Sequence, residues 1–426
     1  MRYDKRWLYL PVEVKVREMD AKLLLAYYAV KEGYQVIIGE HKMVELASTV
    51  YPAGVFFSKG YPRGFRKRII TNAKNSGHTV VELDEEGLLL NNKTQYLRNR
   101  MVSDMLDLVT QEYCWGGFQK EVIVSANPRQ EQKCYIVGNP RFDLLTPKFN
   151  ILYKEEAEQI RNEYGEFVLI NTRFPNYNSF NGMKNDTIES MYYKKLYYSF
   201  VEMTKAMCRE FPNTNFVIRP HPGENFESYR NTFSSYHNVF VVHEGSIIKW
   251  LLAAEVVIHN GCTSSIEACL LEKPIISYIP TTASENDVLL PNQLGMMAVN
   301  TKEVHVLLEK ILNMNYFFDN NSRKQISQDK NSLTPFYKWP DKRFSYESIL
   351  QLLNNIQLPR VPKTFSPSKK TLSLKENRKV KYFFPSLFKE EIKHYFEKID
   401  EIEDEKSRIS IKRIGKNLFE IQGELI

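Results

Sequence analysis

The chain has no run approaching the roughly 18 apolar residues that a membrane-spanning helix needs. Its opening, M-R-Y-D-K-R-W-L-Y-L-P-V, is broken by Pro11 and Glu13 and runs into no apolar core with a small-residue cleavage site, so no secretory leader is expected. Cysteine is scarce: Cys114, Cys134, Cys208, Cys262 and Cys269 form an odd set without C-x-x-C spacing, which argues against a disulfide framework and a zinc site. These absences predict a cytoplasmic protein, soluble or peripheral at the inner face of the cell membrane. Charge of one sign is also scarce in the body of the chain. The total is +7, from 58 basic and 51 acidic residues, but 16 basic and 11 acidic residues lie from Arg360 onward, leaving 42 against 40 before it. A nucleic-acid binder concentrates Lys and Arg on its folded domains, so no nucleic-acid partner is expected. The basic tail suits contact with an anionic membrane face or a partner enzyme, an attraction tempered by its own acidic residues.

What is present is 426 residues, 43% hydrophobic and 26% charged, enough for two or three domains with cores of their own. Short apolar runs alternate with amphipathic stretches. R-W-L-Y-L-P-V, Y-Q-V-I-I-G, G-V-F-F-S, H-T-V-V-E-L-D and C-Y-I-V-G read as strands, with helices over Ala21 to Glu32, Arg66 to Ser76 and around Asn99 to Thr110. F-V-L-I-N-T, N-F-V-I-R-P, N-V-F-V-V-H, E-V-V-I-H-N and P-I-I-S-Y-I repeat the logic, with helices over Tyr192 to Glu210, Ile247 to Ala254 and Ser264 to Leu271. This alternation predicts an α/β protein of two doubly wound, Rossmann-like domains facing a cleft, 1–150 and 151–330. Residues 331–426 read as a crossover and a basic C-terminal α/β extension: a linker over Arg360 to Lys381, a charged helix over Glu390 to Ser407 and a terminal hairpin.

In open parallel sheets ligands sit beyond the carboxyl ends of the strands, so those positions carry the candidate site. The strongest signal is H-N-G-C-T-S-S-I-E-A. Gly261 permits a tight turn, Thr263, Ser264 and Ser265 place hydroxyls and amides at a helix N-terminus, and His259 precedes them, a combination suited to a phosphate or diphosphate. Glu267 either bonds a ribose hydroxyl or complements the helix dipole, and Ser264 with Glu267 would serve a plain cap equally well. In R-P-H-P-G-E-N two prolines fix the backbone around His221, whose imidazole can face a phosphate, with Arg219 as a structural or phosphate-facing partner. His243 and Ser246, in H-E-G-S, either border a nucleotide or begin a helix. In the first half Asp84, Glu85 and Glu86 end one strand, and Asp143 follows another in G-N-P-R-F-D. A carboxylate from each can act as nucleophile or base, against the plainer reading of a solvated turn and of a cap or Arg141 partner. Glu13, Arg17 and Glu18 follow the first strand and either contact an acceptor or pair along a helix.

The stretch H-E-G-S-I-I-K-W-L-L-A-A-E-V-V-I-H-N-G-C-T-S-S-I-E-A-C-L-L-E-K-P-I-I-S-Y, with G-N-P-R-F-D-L-L and E-V-K-V-R-E, resembles the bacterial surface carbohydrate biosynthesis proteins. These are similar to GT-B glycosyltransferases, including the retaining Kdo transferases that use CMP-activated sugars. The resemblance spans roughly residues 7 to 300. It implies a nucleotide-sugar donor held by the second half near His221, His259, Thr263, Ser264 and Ser265, and a glycan or lipid-linked acceptor held by the first. It also implies a double displacement, with Asp143 as nucleophile and Glu86 as base or acceptor contact. No cofactor and no metal are expected, since no D-x-D motif stands in a suitable loop. The expected activity is transfer from a nucleotide-activated sugar, such as a CMP-linked ulosonic acid, to a surface polysaccharide. The alternatives are a CDP-glycerol-type polyol-phosphate transferase, a UDP-sugar 2-epimerase-like enzyme, and a non-catalytic sugar-nucleotide-binding assembly protein.

Overall fold

The computed structural model describes all residues except 1–5, 61–62, 89–92, 185–186, 283–286, 314–329, 340–342, 359–371, 373, 375–377 and 425–426. Most of the linker read over Arg360 to Lys381 lies outside the described residues. The chain divides into two compact units, Met1–Leu152 with Thr334–Ile426, and Tyr153–Leu333.

The first unit holds six parallel strands: β1 (Arg6–Val12), β2 (Tyr34–Glu40), β3 (Val55–Ser58), β4 (Thr79–Leu83), β5 (Gln111–Cys114) and β6 (Cys134–Ile136), in the spatial order β2-β1-β3-β4-β5-β6. All of β1 except Arg6 is buried, and so is all of β2, the unbroken apolar run of parallel strands covered on both faces. The helix Lys15–Lys31 starts six residues before the expected Ala21, directly after β1. Only short helices, Lys93–Asn99 and Ser103–Leu106, occupy the stretch expected to be helical around Asn99 to Thr110, and β5 follows unannounced. Its opening Gln111 and Glu112 look like a solvated segment. Both are buried, and Glu112 lies beside Arg66, which also pairs with Glu82.

The second unit holds β7 (Phe167–Asn171), β8 (Asn215–Arg219), β9 (Val239–Val241), β10 (Val256–His259), β11 (Ile275–Tyr278) and β12 (Met296–Ala298), all parallel, in the order β9-β8-β7-β10-β11-β12. In sequence terms this is the 3-2-1-4-5-6 order of a Rossmann sheet, whose direction reverses between β7 and β10. The helix Ile188–Glu210 starts in a capping box, where Thr187 Oγ1 accepts the Ser190 N–H and Ser190 Oγ accepts the Thr187 N–H. It buries Leu196, Phe200, Met203 and Met207 in the core formed with Val168, Ile170, Phe216, Ile258 and Ile276.

From Thr334 the chain belongs to the first unit. The helix Ser345–Asn354 lies on it, and the helix Lys389–Glu403 packs on Lys15–Lys31, with Tyr27 Oη donating to Asp400 Oδ1 at 2.6 Å and Phe396 edge-on to the Tyr27 ring. The expected terminal hairpin is β13 (Ile409–Gly415) and β14 (Leu418–Gly423), and β14 pairs antiparallel with β2, extending the sheet to eight strands. Close approach at Gly39 permits this: its φ is +155°, and a Cβ there would stand 2.0 Å from the Asn417 carbonyl oxygen. Gly39→Val therefore prises β14 from β2, with an expected loss of about 2 kcal/mol or more, read as a lower urea midpoint. An unchanged midpoint would show that the hairpin contributes nothing at this edge.

Candidate functional site

Three strands of the second unit end at one level. Asn171 at the end of β7 is in register with Arg219 on β8 and with His259 on β10. The loops Asn171-Thr172-Arg173, R-P-H-P-G-E and H-N-G-C-T-S-S therefore leave the sheet side by side at the point where its strand order reverses.

Hydrogen bonds lock these loops together. Asn171 Nδ2 donates to Ser264 Oγ at 2.9 Å. Arg173 Nε donates to the Asn260 carbonyl at 2.7 Å, its Nη2 to Asn260 Oδ1 at 3.2 Å and its Nη1 to Tyr193 Oη at 2.9 Å. Gly261 has φ +57°, and a Cβ there would meet the Arg173 guanidinium at 2.6 Å, so glycine is required for both the turn and the approach. On the other flank, fully buried Glu224 accepts from Thr172 Oγ1 at 2.7 Å, Tyr229 Oη at 2.7 Å and the His221 N–H at 3.1 Å. Burial pushes the Glu224 carboxyl up, against the hydrogen bonds from Thr172 and Tyr229 that favour its charged form. The Gly223 N–H donates to His221 Nδ1 at 3.0 Å, so the neutral ring carries its proton on Nε2.

The helix Thr263–Leu270 begins at Cys262, which offers no side-chain cap. Ser265 Oγ is engaged with the Cys262 carbonyl and Ser264 Oγ donates to Cys262 Sγ, while Ser264, Ser265 and Glu267 are buried and Thr263 is half-buried. What this turn can offer an anion is its first amides, the Arg173 charge alongside and the Thr263 hydroxyl. Asn292 Oδ1 accepts the Gly261 N–H and holds the turn from behind.

Several expected ligand contacts have internal duties. His259 is fully buried, its Nε2 toward Ser277 Oγ at 3.0 Å and its Nδ1 accepting the Cys262 N–H at 3.5 Å; burial, reinforced by Arg173, lowers it to about 3. Such a neutral ring props the glycine turn and brings no charge to a phosphate. Arg219 donates to the carbonyls of Glu244 at 2.8 Å and Gly245 at 2.9 Å and lies over the Trp250 ring, so of its two readings the geometry takes the structural one. It thereby fixes the turn in which His243 stands against Phe226 and Ser246 caps the helix Ile247–Ala253.

In the first unit, Glu13, Arg17, Glu18 and Glu86 are brought together by ion pairs within and between elements, none of them an i,i+4 pair. Lys59, at the end of β3, donates to Glu13 Oε2 at 2.8 Å and lies 3.2 Å from Glu18 Oε1; Arg17 bridges Glu18 at 3.3 Å and Glu86 at 3.0 Å. Lys22 meets Glu85 at 3.1 Å. Burial alone would raise Glu18, but the Lys59 and Arg17 charges hold it down at about 2. Glu13 and Glu86 keep partial exposure. Asp84 is fully buried beside Arg100, and burial raises it to about 6.

Asp143 is elsewhere. It is fully buried, and its two oxygens accept the N–H groups of Ser345 and Tyr346, each at 2.9 Å, at the start of the helix Ser345–Asn354. Both oxygens are thus engaged at a helix start and shielded from solvent, which gives Asp143 the capping duty that its position also allowed in place of the nucleophile's. Motif reading missed Arg173, Asn171, Glu224 and Lys59. Each ends or follows a strand or follows a proline-glycine turn, the one signal that could have singled them out. Among the described residues, no group of three or more His, Cys, Asp or Glu side chains is placed to hold a metal ion.

No protein-family model matches the chain, and no curated protein matches it by sequence. Solved structures match it in fold. UDP-GlcNAc 2-epimerase from Neisseria meningitidis bound to UDP-GlcNAc aligns at 12% identity over 82% of this chain and 100% of its own, with a TM-score of 0.51. The S. aureus MnaA–UDP co-structure aligns at 12% identity over 84% and 99%, at 0.51, and Methanocaldococcus jannaschii UDP-GlcNAc 2-epimerase with UDP-GlcNAc and UDP at 14% over 82% and 99%, at 0.50. The shared fold is GT-B-like, two Rossmann-like domains.

Two outcomes follow from these placements. Asp143→Ala costs about 1–2 kcal/mol of stability through the lost cap, measured by denaturant unfolding. His259 titrates at about 3 folded against about 6.5 unfolded, so its contribution is complete above pH 6.5 and drains away as pH falls toward 3. His259→Gln should flatten the acid side of the stability profile around pH 5 by about 1.4 kcal/mol per pH unit, and an unchanged slope would show that the ring charges without unfolding.

Proposed function

We propose that this protein is a GT-B-type nucleotide-sugar enzyme that transfers an activated sugar in building a bacterial surface polysaccharide. The donor phosphate lies at the carboxyl ends of β7, β8 and β10. The observation that carries this reading is the locked set of three loops at the reversal point of the second sheet: a glycine turn pressed on Arg173, the first amides of the helix Thr263–Leu270, and an imidazole whose tautomer is set by Gly223. Arg173, with Thr263 and the helix amides, neutralises the phosphate. His221 donates from Nε2 to the phosphate oxygen that gains charge as the glycosidic bond breaks. Glu267 stays the candidate ribose contact. On the first unit Glu86, half-exposed and paired with Arg17, is the candidate base, while Glu13 and Arg17 border the acceptor. A covalent intermediate on Asp143 is no part of this mechanism. A CMP-linked ulosonic acid remains the donor favoured by the family resemblance.

A second reading is favoured by one observation: epimerases of the same fold bind UDP-GlcNAc and UDP. The same phosphate pocket would then hold UDP-GlcNAc while C2 is inverted. Thermal unfolding with CMP, CDP, UDP and UDP-GlcNAc separates the donors, since a ligand at about a hundredfold its Kd adds about 2.7 kcal/mol. Proton NMR separates the reactions: an epimerase alters C2 without an acceptor, whereas a transferase releases nucleotide only when acceptor is present. His221→Ala should leave nucleotide affinity within a few fold and slow turnover about 10²- to 10⁴-fold. Failure of every nucleotide to stabilise the protein would remove the proposal.

A further inference from the structure

The positive charge of the C-terminal region is concentrated in a short stretch. Residues 360–389 hold nine Lys and Arg and a single carboxylate, Glu376, for a net +8; residues 390–426 hold seven against ten, a net −3. Everything outside those thirty residues sums to −1. Within the described residues, Arg378 to Lys389 contributes four cations and no carboxylate.

This segment is fastened to the first unit at one end and offers its cations at the other. Phe384 and Leu387 are buried, the Leu387 N–H donates to Asn417 Oδ1 at 2.9 Å, and Lys15 Nζ donates to the Ser386 carbonyl at 2.7 Å. The helix Arg378–Phe383 buries none of its residues, and Arg378, Lys379 and Lys381 are exposed. Its Val380 and the nearby Leu374 border a small recess that Lys42 and Lys416 also line, which sets two more cations against it. Two of the adjoining carboxylates have other duties, while Glu390, exposed beside Lys389, subtracts one charge from the surface. Glu40 accepts the N–H groups of Lys42 and Met43, and Glu391 pairs with Lys15 and accepts the Phe388 N–H. Two exposed apolar side chains flank the helix in the chain, Leu374 at 45% before it and Phe388 at 57% after it, next to Lys389.

We propose that this surface docks the protein on an anionic lipid bilayer. Cations at a charged membrane each strengthen partitioning about fivefold. Leu374 and Phe388, which gain nothing from water, enter the boundary between headgroups and acyl chains. An RNA strand would satisfy the cations but gives an aliphatic side chain no apolar layer to enter. The docking reading is independent of the nucleotide site on the second unit.

The test is sedimentation of the full chain, without nucleotide, with vesicles of phosphatidylcholine alone or enriched in phosphatidylglycerol. Partitioning is expected only into the anionic vesicles and should weaken as salt rises. Lys379→Ala with Lys381→Ala should lower it about 25-fold with the thermal midpoint unchanged, both side chains being exposed. Phe388→Ser should lower it by a factor that persists at high salt. Equal partitioning into both vesicle types, insensitivity to all three substitutions, or binding to single-stranded RNA without binding to vesicles would overturn the proposal.

Discussion

A fully buried carboxylate must have its lone pairs filled, and the second unit is arranged around one that does. Glu224 draws the Thr172 and Tyr229 hydroxyls and the His221 N–H onto itself, which ties the histidine loop to the end of β7. The residues on either side of Thr172 do the same for the opposite flank, Asn171 reaching Ser264 and Arg173 reaching Asn260. Three consecutive residues thus set the spacing of both loops that can touch a ligand. Because β7 is the central strand, buried along its whole length, that spacing inherits the rigidity of the sheet.

The first unit meets the same demand for satisfied charge by pairing ions with ions. Glu18, Lys59, Lys22 and Glu85 are all nearly inaccessible, and removing one member of such a set strands its partner at a cost larger than the net worth of the pair. Exposure rises outward, from Glu18 to Glu13, Arg17 and Glu86. Carboxylates at the rim are therefore held in place by charges beneath them, the arrangement a base or an acceptor contact needs if it is to act without first reorganising. Asp143 is the counterexample within the same unit: the same residue type, placed against a helix start, spends both oxygens on backbone.

Ten of the twelve parallel strands were legible because a parallel strand covered on both faces is an uninterrupted apolar run closed by Gly, Asn or Pro; the three-residue β12 was too short to be read. β5 was not legible either, since its buried Glu112 depends on Arg66, 46 positions away, and only tertiary pairing tells it from a solvated acid. The glycine turn and His221 announced themselves through local backbone chemistry, which one sequence window contains. Arg173 and Lys59 are single cations after strands. What they do is set by the register of β10 and by the fold of β1, which no window contains. Asp143 misled for the same reason, its partners lying 202 and 203 positions onward. Residue type and strand-end position were readable, whereas the division between ligand-facing and structural duty was not.

The return of the C-terminal segment has its own physical logic. Without it β2 would be an open edge, a row of unpaired amides inviting another chain. β14 covers that edge and passes the exposed rim to β13, whose Lys412 and Arg413 are solvent-facing. Charges on an outer strand discourage a further strand from adding, so these cations guard the sheet and need no ligand. That separates them from Arg378, Lys379 and Lys381, which sit on a short helix with no edge to protect, flanked in the chain by exposed Leu374 and Phe388. A single basic tail by composition is therefore two devices by structure: one set of cations lies along a strand at the rim of the sheet, the other on a short exposed helix.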